Sequence, residues 1–322
     1  MQRTVGVRKR PGPTGILEPA PSVRRRSMAP HHRRRRAAAI LALTALGVLA
    51  AVLLVRAGGV TADRVAGLPD HGFLGGIRAL AGSGPASLAG GEAAAENAAI
   101  NRTLAYTPYV RVAGREHREI ALTFDDGPGP YTPQILSVLE RHDVPATFFE
   151  VGVLERYFYA STAAIVAAGD PIGDHTEVHA PMSRLSPADQ RAQLLEQAAA
   201  IERHGARFPR LFRPPYGLWN AATLALLHRY HMLMVLWTVD TNDYLRPGVR
   251  AIVTAALSGA RPGAIILLHD AGGNRSETVA ALPQIIAGLR RRHFRLVTVP
   301  RLLLDNPPPR MQNIGAVIGA GG

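Results

Sequence analysis

Short apolar runs alternate with amphipathic stretches from about residue 118 to about residue 303. The runs have the length of buried strands, and they are Ile120–Phe124, Ala146–Val151, Leu211–Phe212, Met232–Val239, Ala264–Leu268 and Leu296–Val299. Three of the intervening stretches begin with helix N-cap signals, at Thr132-Pro133, Ser186-Pro187 and Asn220. Alternating strands and helices predict an α/β fold with a parallel sheet, either open and doubly wound or closed as a barrel.

Positive charge is concentrated at the N-terminus. Residues 1–36 contain eleven Lys or Arg and a single acid, Glu18, so this segment carries +10 of the formal net charge of +13. The folded part therefore has little excess charge, which argues against a nucleic-acid-binding surface. The chain has no cysteine, so a metal ion would have to be held by histidine and carboxylate side chains. We interpret residues 1–36 as a disordered cytoplasmic tail beside a membrane.

The nineteen residues from Ala37 to Val55 contain no charged side chain. As one helix rising about 1.5 Å per residue, they span roughly the hydrocarbon core of a bilayer. Arginines at 33–36 precede this run and Arg56 follows it, so the positive-inside rule predicts a single-pass protein of the cell membrane with a cytoplasmic N-terminus and an extracellular domain. The alternative is a cleaved signal peptide, with a small-residue site at 60–62, and a secreted protein.

Two further segments lack strand and helix periodicity of this kind. Residues 56–117 are rich in Gly and Ala and predict a linker, with room for a short helix around Glu92–Ala99. Residues 306–322 begin with Asn-Pro-Pro-Pro, end in glycines, and predict a disordered tail. The catalytic domain is therefore expected at 118–305.

Five polar clusters lie at or near the ends of successive apolar runs. They read TFDDGP from Thr123, HTEVH from His175, FRPPYG from Phe212, WTVDTNDY from Trp237 and LLHD from Leu267. In α/β folds the C-terminal ends of parallel strands meet at one edge, where active sites lie. Each cluster alone has an ordinary explanation as a turn or loop, but five in succession predict one common site.

The HTEVH cluster predicts a metal site. Histidines four residues apart lie on one face of a helical turn, which suits both imidazoles, His175 and His179, to one zinc-like ion. Thr176 follows the first histidine, so the cluster differs from the HExxH pattern of metalloproteases. A carboxylate is still needed, and Asp126 is the candidate.

In this order and spacing, the five clusters resemble the motifs of the polysaccharide deacetylase family, also known as the NodB homology domain or carbohydrate esterase family 4. The resemblance covers about residues 118–303. It implies a deformed (β/α) barrel of about seven strands, preceded in this chain by the transmembrane helix.

The resemblance also implies the roles of the charged residues. Asp126, His175 and His179 would bind a divalent metal ion, usually Zn2+, with Co2+, Ni2+ or Mn2+ as substitutes. Asp125 would act as the general base and His269 as the general acid.

Further residues would support this machinery, again by resemblance. Arg213 would orient Asp125, Asp243 would hold and tune His269, and the backbone N–H of Tyr216 would stabilise the oxyanion. Tyr244 stands where the family commonly has Trp, which keeps an aromatic wall but changes its size and adds a hydroxyl. The residues expected to contact substrate are Tyr216, Leu267, Trp237 and Tyr244.

The expected function is removal of N-acetyl groups from an N-acetylglucosamine-type polysaccharide, and a membrane anchor facing the cell wall favours peptidoglycan over chitin-like polymers. Two alternatives remain: an O-acetyl esterase acting on a xylan-type polymer, and a catalytically silent glycan-binding membrane protein. The sequence does not indicate an oligomeric state.

Overall fold

The computed structural model describes residues 85–313. The predicted cytoplasmic tail, the predicted transmembrane helix at 37–55 and residues 314–322 lie outside this range. Within residues 85–313, no helix combines the length and the apolar character that crossing a bilayer requires.

Strands and helices alternate along the described residues, as the apolar runs predicted. The strands are β1 (Tyr109–Val110), β2 (Glu119–Gly127), β3 (Thr147–Glu150), β4 (Ile172–Asp174), β5 (Leu211–Phe212), β6 (Leu233–Val235), β7 (Val239–Asp240), β8 (Ala264–His269) and β9 (Arg295–Val297). The α-helices are α1 (Pro85–Leu104), α2 (Thr132–Arg141), α3 (Gly152–Glu155), α4 (Tyr159–Ala168), α5 (Pro187–Arg203), α6 (Ala221–Arg229), α7 (Val249–Ser258), α8 (Ser276–Arg291) and α9 (Val299–Asp305). Three 3-10 turns complete the described elements, at Met182–Arg184, Pro215–Gly217 and Asp243–Leu245.

All pairs of named strands are parallel, in the order β1-β6-β5-β4-β3-β2-β8-β7, with β9 beside the first half of β2. β6 and β7 lie near opposite ends of this order, yet only three residues separate them in sequence. This short connection brings the two ends toward each other, so the sheet curls into a half-barrel, and no pairing of β1 with β7 closes it within residues 85–313. The α/β class and the curled parallel sheet are therefore confirmed.

The described part of the chain has nine strands, against the expected number of about seven. The apolar run Met232–Val239 is divided into β6 and β7, and β1 and β4 had no run of their own. β4 contains no apolar run because its middle residue is Gly173. A Cβ atom at this position would lie 2.5 Å from the ring of Phe149, so a side chain would collide with it.

Two of the three predicted helix starts are confirmed. Ser186 accepts a hydrogen bond from the backbone N–H of Asp189, and Asn220 forms a capping box with Thr223. Thr132 is not an N-cap but the first residue of α2. Its hydroxyl instead accepts from the N–H of Gly129 and donates to Asp270.

The predicted linker and tail differ from the structure where it describes them. Helix α1 contacts α9 and β6, and Ile100 on this helix is buried. Gln312 Oε1 accepts hydrogen bonds from the N–H groups of Arg111 and Val112, at 2.8 and 3.0 Å. Residues 85–117 and 306–313 therefore belong to the folded unit. Their composition indicated a spacer and a tail, but contacts with residues far away in the sequence hold them in place.

The alternation of side chains along β2 separates the core from the site. Ile120, Leu122 and Phe124 pack against buried residues of α2, α7 and α8 outside the sheet. Thr123 and Asp125 point the other way, toward the guanidinium of Arg213. A period of two thus directs Ile120, Leu122 and Phe124 to the helices and Thr123 and Asp125 to the interior, while Ala121 on the interior face joins a second apolar cluster.

A group of buried acidic side chains lies where β3 and β4 meet α3 and α5. Glu155 is almost fully buried, and neither of its carboxylate oxygens has a hydrogen-bond partner among residues 85–313, although His204 Nε2 lies 3.6 Å from Oε2. Burial raises the pKa of Glu155 to about 8, against the smaller lowering effects of Gln197 and Arg203. Glu150 and Asp174 are also fully buried, and burial raises the pKa of both.

Replacing Glu155 by Gln is expected to stabilise the protein as the pH rises. Below pH 4.5 the carboxyl is protonated in both states, and between pH 4.5 and 8 the unfolded chain ionises first, which penalises the folded state. Each pKa unit corresponds to about 1.4 kcal/mol. The free energy of unfolding of the variant should therefore exceed that of the parent by roughly 2 to 4 kcal/mol at pH 8 and by little at pH 5. Urea unfolding at both pH values measures this, and an equal gain at both would contradict it.

Candidate active site

Asp125 and Asp126 lie at the C-terminal end of β2. Consecutive side chains of a regular strand point to opposite faces, so two adjacent carboxylates would normally diverge. Here the pairing of β2 with β3 shifts register between Asp125 and Gly127, and Asp126 has a φ of 70°. This bulge brings both carboxylates to one imidazole: His175 Nε2 lies 3.8 Å from Asp125 Oδ2 and 3.6 Å from Asp126 Oδ1.

Gly272, which sequence reasoning did not single out, leaves room for Asp126. A Cβ on Gly272 would lie 2.3 Å from Asp126 Oδ2, and the φ of 72° also disfavours any other residue. The adjacent glycines at 272 and 273, which follow the LLHD cluster after Ala271, were the available signal.

The two histidines meet as predicted, but not on a helix. Residues 175–179 form a loop in which Thr176 and His179 have φ values of 69° and 56°. The N–H of Thr176 donates to Asp174 Oδ1 at 2.8 Å, which holds the first bend. The imidazole centroids of His175 and His179 lie 4.9 Å apart, so the left-handed loop achieves the spacing that a helical turn was expected to provide.

The donor set of Asp126, His175 and His179 fits a divalent metal ion. Their ligand atoms lie within 4.8 Å of one another, and no other three His, Asp or Glu residues in 85–313 meet this condition. His175 Nδ1 lies 2.7 Å from the backbone oxygen of Arg213, which requires a proton on Nδ1 and leaves the Nε2 lone pair free. His179 Nε2 lies 3.1 Å from Asp126 Oδ1, and its Nδ1 lies 3.1 Å from the hydroxyl of Tyr216. Partners on the outer nitrogens are typical of metal-bound histidines.

Asp126 is also held in the ionised form that a metal ligand requires. Burial by itself raises the pKa of this carboxyl, but hydrogen bonding with His175 and His179 and the charge of His269 outweigh burial and hold the pKa well below its usual range. Asp126 is therefore a carboxylate at neutral pH.

Arg213 is fully buried behind Asp125. Its Nη1 donates to Asp125 Oδ1 at 2.7 Å and to Thr123 Oγ1 at 2.8 Å, and its Nε donates to the backbone oxygen of Val235 at 3.0 Å. The guanidinium also lies over the ring of Phe149, 4.1 Å from its centroid. These contacts fix the guanidinium group of Arg213. Oδ1 of Asp125 is therefore held by Arg213, while Oδ2 faces His175.

His269, at the end of β8, is paired with Asp243. His269 Nδ1 lies 2.7 Å from Asp243 Oδ1, and the N–H of His269 donates to Asp243 Oδ2 at 2.9 Å. Thr278, which the sequence did not indicate, donates to the same oxygen at 2.7 Å. Burial lowers the pKa of His269, but Asp243, with the charges of Asp126 and Asp125, more than compensates and raises it to about 9. The imidazole is therefore charged at neutral pH.

The remaining predicted site residues differ in their surroundings. Tyr216 is exposed, has a φ of 60°, and its N–H has no acceptor within residues 85–313. Tyr244 is partly exposed, with its ring edge-on to His269 at 5.3 Å. Leu267 is buried on the interior face of β8 beside Asp240. Trp237 is half-buried and packs over Arg213.

Comparison with known proteins supports a common origin for this arrangement. Residues 113–235 match the family model described as polysaccharide deacetylase. A chitooligosaccharide deacetylase of Bradyrhizobium sp. (strain ANU 289) is 39% identical over 198 residues, which are 58% of this chain and 90% of that protein. A peptidoglycan-N-acetylglucosamine deacetylase of Bacillus cereus is 38% identical over 187 residues, covering 57% of this chain and 87% of that protein.

Solved structures agree with these matches. A peptidoglycan N-acetylglucosamine deacetylase, solved in complex with a naphthalenyl N-oxidanyl-benzamide, is 33% identical with a TM-score of 0.59, covering 61% of this chain and 92% of that one. A pseudoenzyme of the CE4 family from Bacillus anthracis is 30% identical with a TM-score of 0.58, covering 61% and 69%. With these identities over most of each relative's length, the chain belongs to the polysaccharide deacetylase family.

Proposed function

We propose that this protein is a metal-dependent hydrolase that removes N-acetyl groups from an N-acetylglucosamine-containing polysaccharide. The observation that carries the proposal is the meeting of Asp126, His175 and His179 beside Asp125. These residues supply a metal-binding set and an adjacent carboxylate, which amide hydrolysis by an activated water requires.

Asp126, His175 and His179 would hold the ion, and Zn2+ suits two imidazoles and one carboxylate. When bound, such an ion acidifies a water molecule and polarises an amide carbonyl. The residues that set its surroundings are the backbone oxygen of Arg213 and the hydroxyl of Tyr216, which contact the outer nitrogens of the two histidines.

Asp125 would act as the general base. Its Oδ1 is occupied by Arg213, while Oδ2 faces the metal-binding side chains and is free to take a proton from the attacking water. The N–H of Tyr216, which has no acceptor within residues 85–313, would donate to the oxygen that becomes negatively charged.

His269 would act as the general acid. The departing amine is a poor leaving group unless it is protonated, and an imidazolium with a pKa of about 9 still carries its proton at neutral pH. Asp243 binds Nδ1, so Nε2 is the nitrogen that would deliver the proton.

Replacing Asp243 by Asn is expected to move the alkaline limit of activity to lower pH. Without this carboxylate, burial would lower the pKa of His269 from about 9 and deprotonate the acid near neutrality. At pH 8, kcat/KM should fall by about 100-fold, with partial recovery toward pH 6. A pH–rate profile measures this shift. Thr278→Val, which removes only one contact to Asp243, should shift the alkaline limit of activity less. An unchanged alkaline limit in Asp243→Asn would exclude His269 as the acid.

The proposed substrate is peptidoglycan or a chitin-like polymer. Relatives with 37 to 39% identity carry the names chitooligosaccharide deacetylase and peptidoglycan-N-acetylglucosamine deacetylase. Peptidoglycan is favoured by the predicted membrane anchor at 37–55, which would place the enzyme on the outer face of the cell membrane. Secretion after signal-peptide cleavage would expose it to the same polymer.

Acetate release tests the proposal directly. The purified protein is incubated with chitin oligomers, peptidoglycan and acetylated xylan, with and without a chelator. We expect chelator-sensitive acetate release from the two N-acetylated substrates. Release from xylan alone would favour an O-acetyl esterase. Glycan binding without acetate release would indicate a catalytically silent glycan-binding protein. The Bacillus anthracis pseudoenzyme shows that a protein of similar fold can lack activity.

A further inference from the structure

β7 ends on a carboxylate that the proposed mechanism does not use. Asp240 is in register with Leu267 of β8, and His269, two residues further along β8, is in register with Asp125. Residues in lateral register point to the same face of a parallel sheet, and so do residues two apart on a strand. The side chain of Asp240 therefore faces the barrel interior, together with the base and the acid.

The three aspartates used in the proposed mechanism all have cationic or metal-binding partners. Asp125 is bound by Arg213, Asp243 by His269, and Asp126 faces the histidine pair. Asp240 Oδ1 accepts only the N–H of Asn242, at 2.8 Å, and within residues 85–313 its Oδ2 has neither a hydrogen bond nor an ion pair. The side chain is half-buried, and Oδ2 is not among the fully buried oxygens that lack a partner, so this oxygen keeps some solvent exposure.

The aromatic ring of Tyr244 lies on the same loop and has a hydrogen-bond partner there. Its hydroxyl donates to Asn242 Oδ1 at 3.2 Å, and its backbone oxygen accepts from Arg275 Nη1 at 3.4 Å. The ring meets the imidazole of His269 edge-on, yet 44% of the residue remains exposed. The loop therefore places an apolar face and a carboxylate oxygen without a partner next to the general acid.

We propose that Asp240 accepts a hydrogen bond from a hydroxyl group of the sugar ring that carries the acetyl group, next to the ring of Tyr244 that is already expected to contact substrate. This inference rests on the proposed function and assigns one residue to recognition of the sugar itself. A sugar offers both hydroxyl donors and apolar C–H faces, and a charged acceptor forms a stronger hydrogen bond than a neutral one. Metal ligation is an unsuitable role for Asp240, since it does not belong to the group of donors within 4.8 Å.

The test compares a substrate with a sugar ring and one without. For Asp240→Ala in the zinc-loaded protein, we expect kcat/KM for tetra-N-acetylchitotetraose to fall about 10 to 100-fold, mainly through KM. The rate on 4-nitrophenyl acetate, which has no sugar, should change less than about twofold. Asp240→Asn, which keeps a neutral acceptor, should lose less. Glu140→Ala, which removes an exposed acid of α2, serves as the matched charge control and should match the parent on both substrates.

Two results would overturn the assignment: an unchanged KM for the tetramer in Asp240→Ala, or an equal loss on both substrates, which would make Asp240 a support of the catalytic machinery. Calorimetric binding of the tetramer, with Asp240→Ala added to Asp125→Asn, separates this inference from the proposed function. If the parent releases no acetate but Asp240→Ala still weakens tetramer binding, the proposed function fails and the sugar contact stands. If binding is unaffected, the sugar contact fails whatever the activity.

Discussion

Asp125→Asn is expected to lower kcat for acetate release by at least about 1000-fold, with the metal content unchanged. Asn matches the shape of Asp and can still accept a hydrogen bond from Arg213 Nη1, but it cannot take a proton from water. Asp125 is not one of the three proposed ligands, so the ion should stay bound. Acetate release and metal analysis of the same sample measure both quantities.

Two controls make this result specific. Arg213 is fully buried and loses its carboxylate partner, so thermal unfolding of the variant must show that it is folded at the assay temperature. Asp126→Asn is the matched variant at the neighbouring position, and it should lose metal as well as activity. A rate within tenfold of the parent for Asp125→Asn would remove this residue as the base.

His175→Ala is expected to abolish stoichiometric metal binding. The side chain is almost fully buried, and the contact of its Nδ1 with the backbone oxygen of Arg213 aims Nε2 at Asp126. Removing one of three protein ligands leaves too few donors for a tight site, so zinc content after dialysis should fall from about one equivalent to below about 0.1, with a comparable loss of activity.

The matched control is His228→Ala, which removes an exposed histidine of α6 and should leave zinc content unchanged. Exhaustive stripping of the parent with a chelator should abolish acetate release, and adding Zn2+ should restore it. Retained zinc in His175→Ala would refute the proposed ligand set. Full activity after stripping would refute metal dependence itself.

The histidine pair illustrates what a spacing rule can predict and what it cannot. Two histidines four residues apart indicated that both rings could reach one ion, and the rings do lie 4.9 Å apart. The expected helical turn was wrong, because Thr176 and His179 adopt left-handed conformations that Asp174 helps to hold. Side-chain type and separation were informative even though the local backbone was not predictable from them.

Other features left no readable mark in the sequence. The partner of Asp243 at Thr278, for example, lies 35 residues away. Acidic side chains usually lie at the surface, but Glu150, Glu155 and Asp174 are buried. These contacts depend on strand order and curvature, which arise from many weak interactions between distant segments.

Local sequence patterns are enough to predict the α/β class, the order of the five polar clusters and the residue types that the proposed metal site, base and acid require. Those properties are local, since strand alternation, capping and side-chain chemistry act within a few residues. Three features become visible only in the folded chain: the sheet curls through the β6–β7 connection, a bulge at Asp126 aims two adjacent carboxylates at one imidazole, and Asp240 keeps an oxygen without a partner beside Tyr244. Each of these depends on register between strands far apart in the chain, and a shift of one residue would turn every side chain to the opposite face.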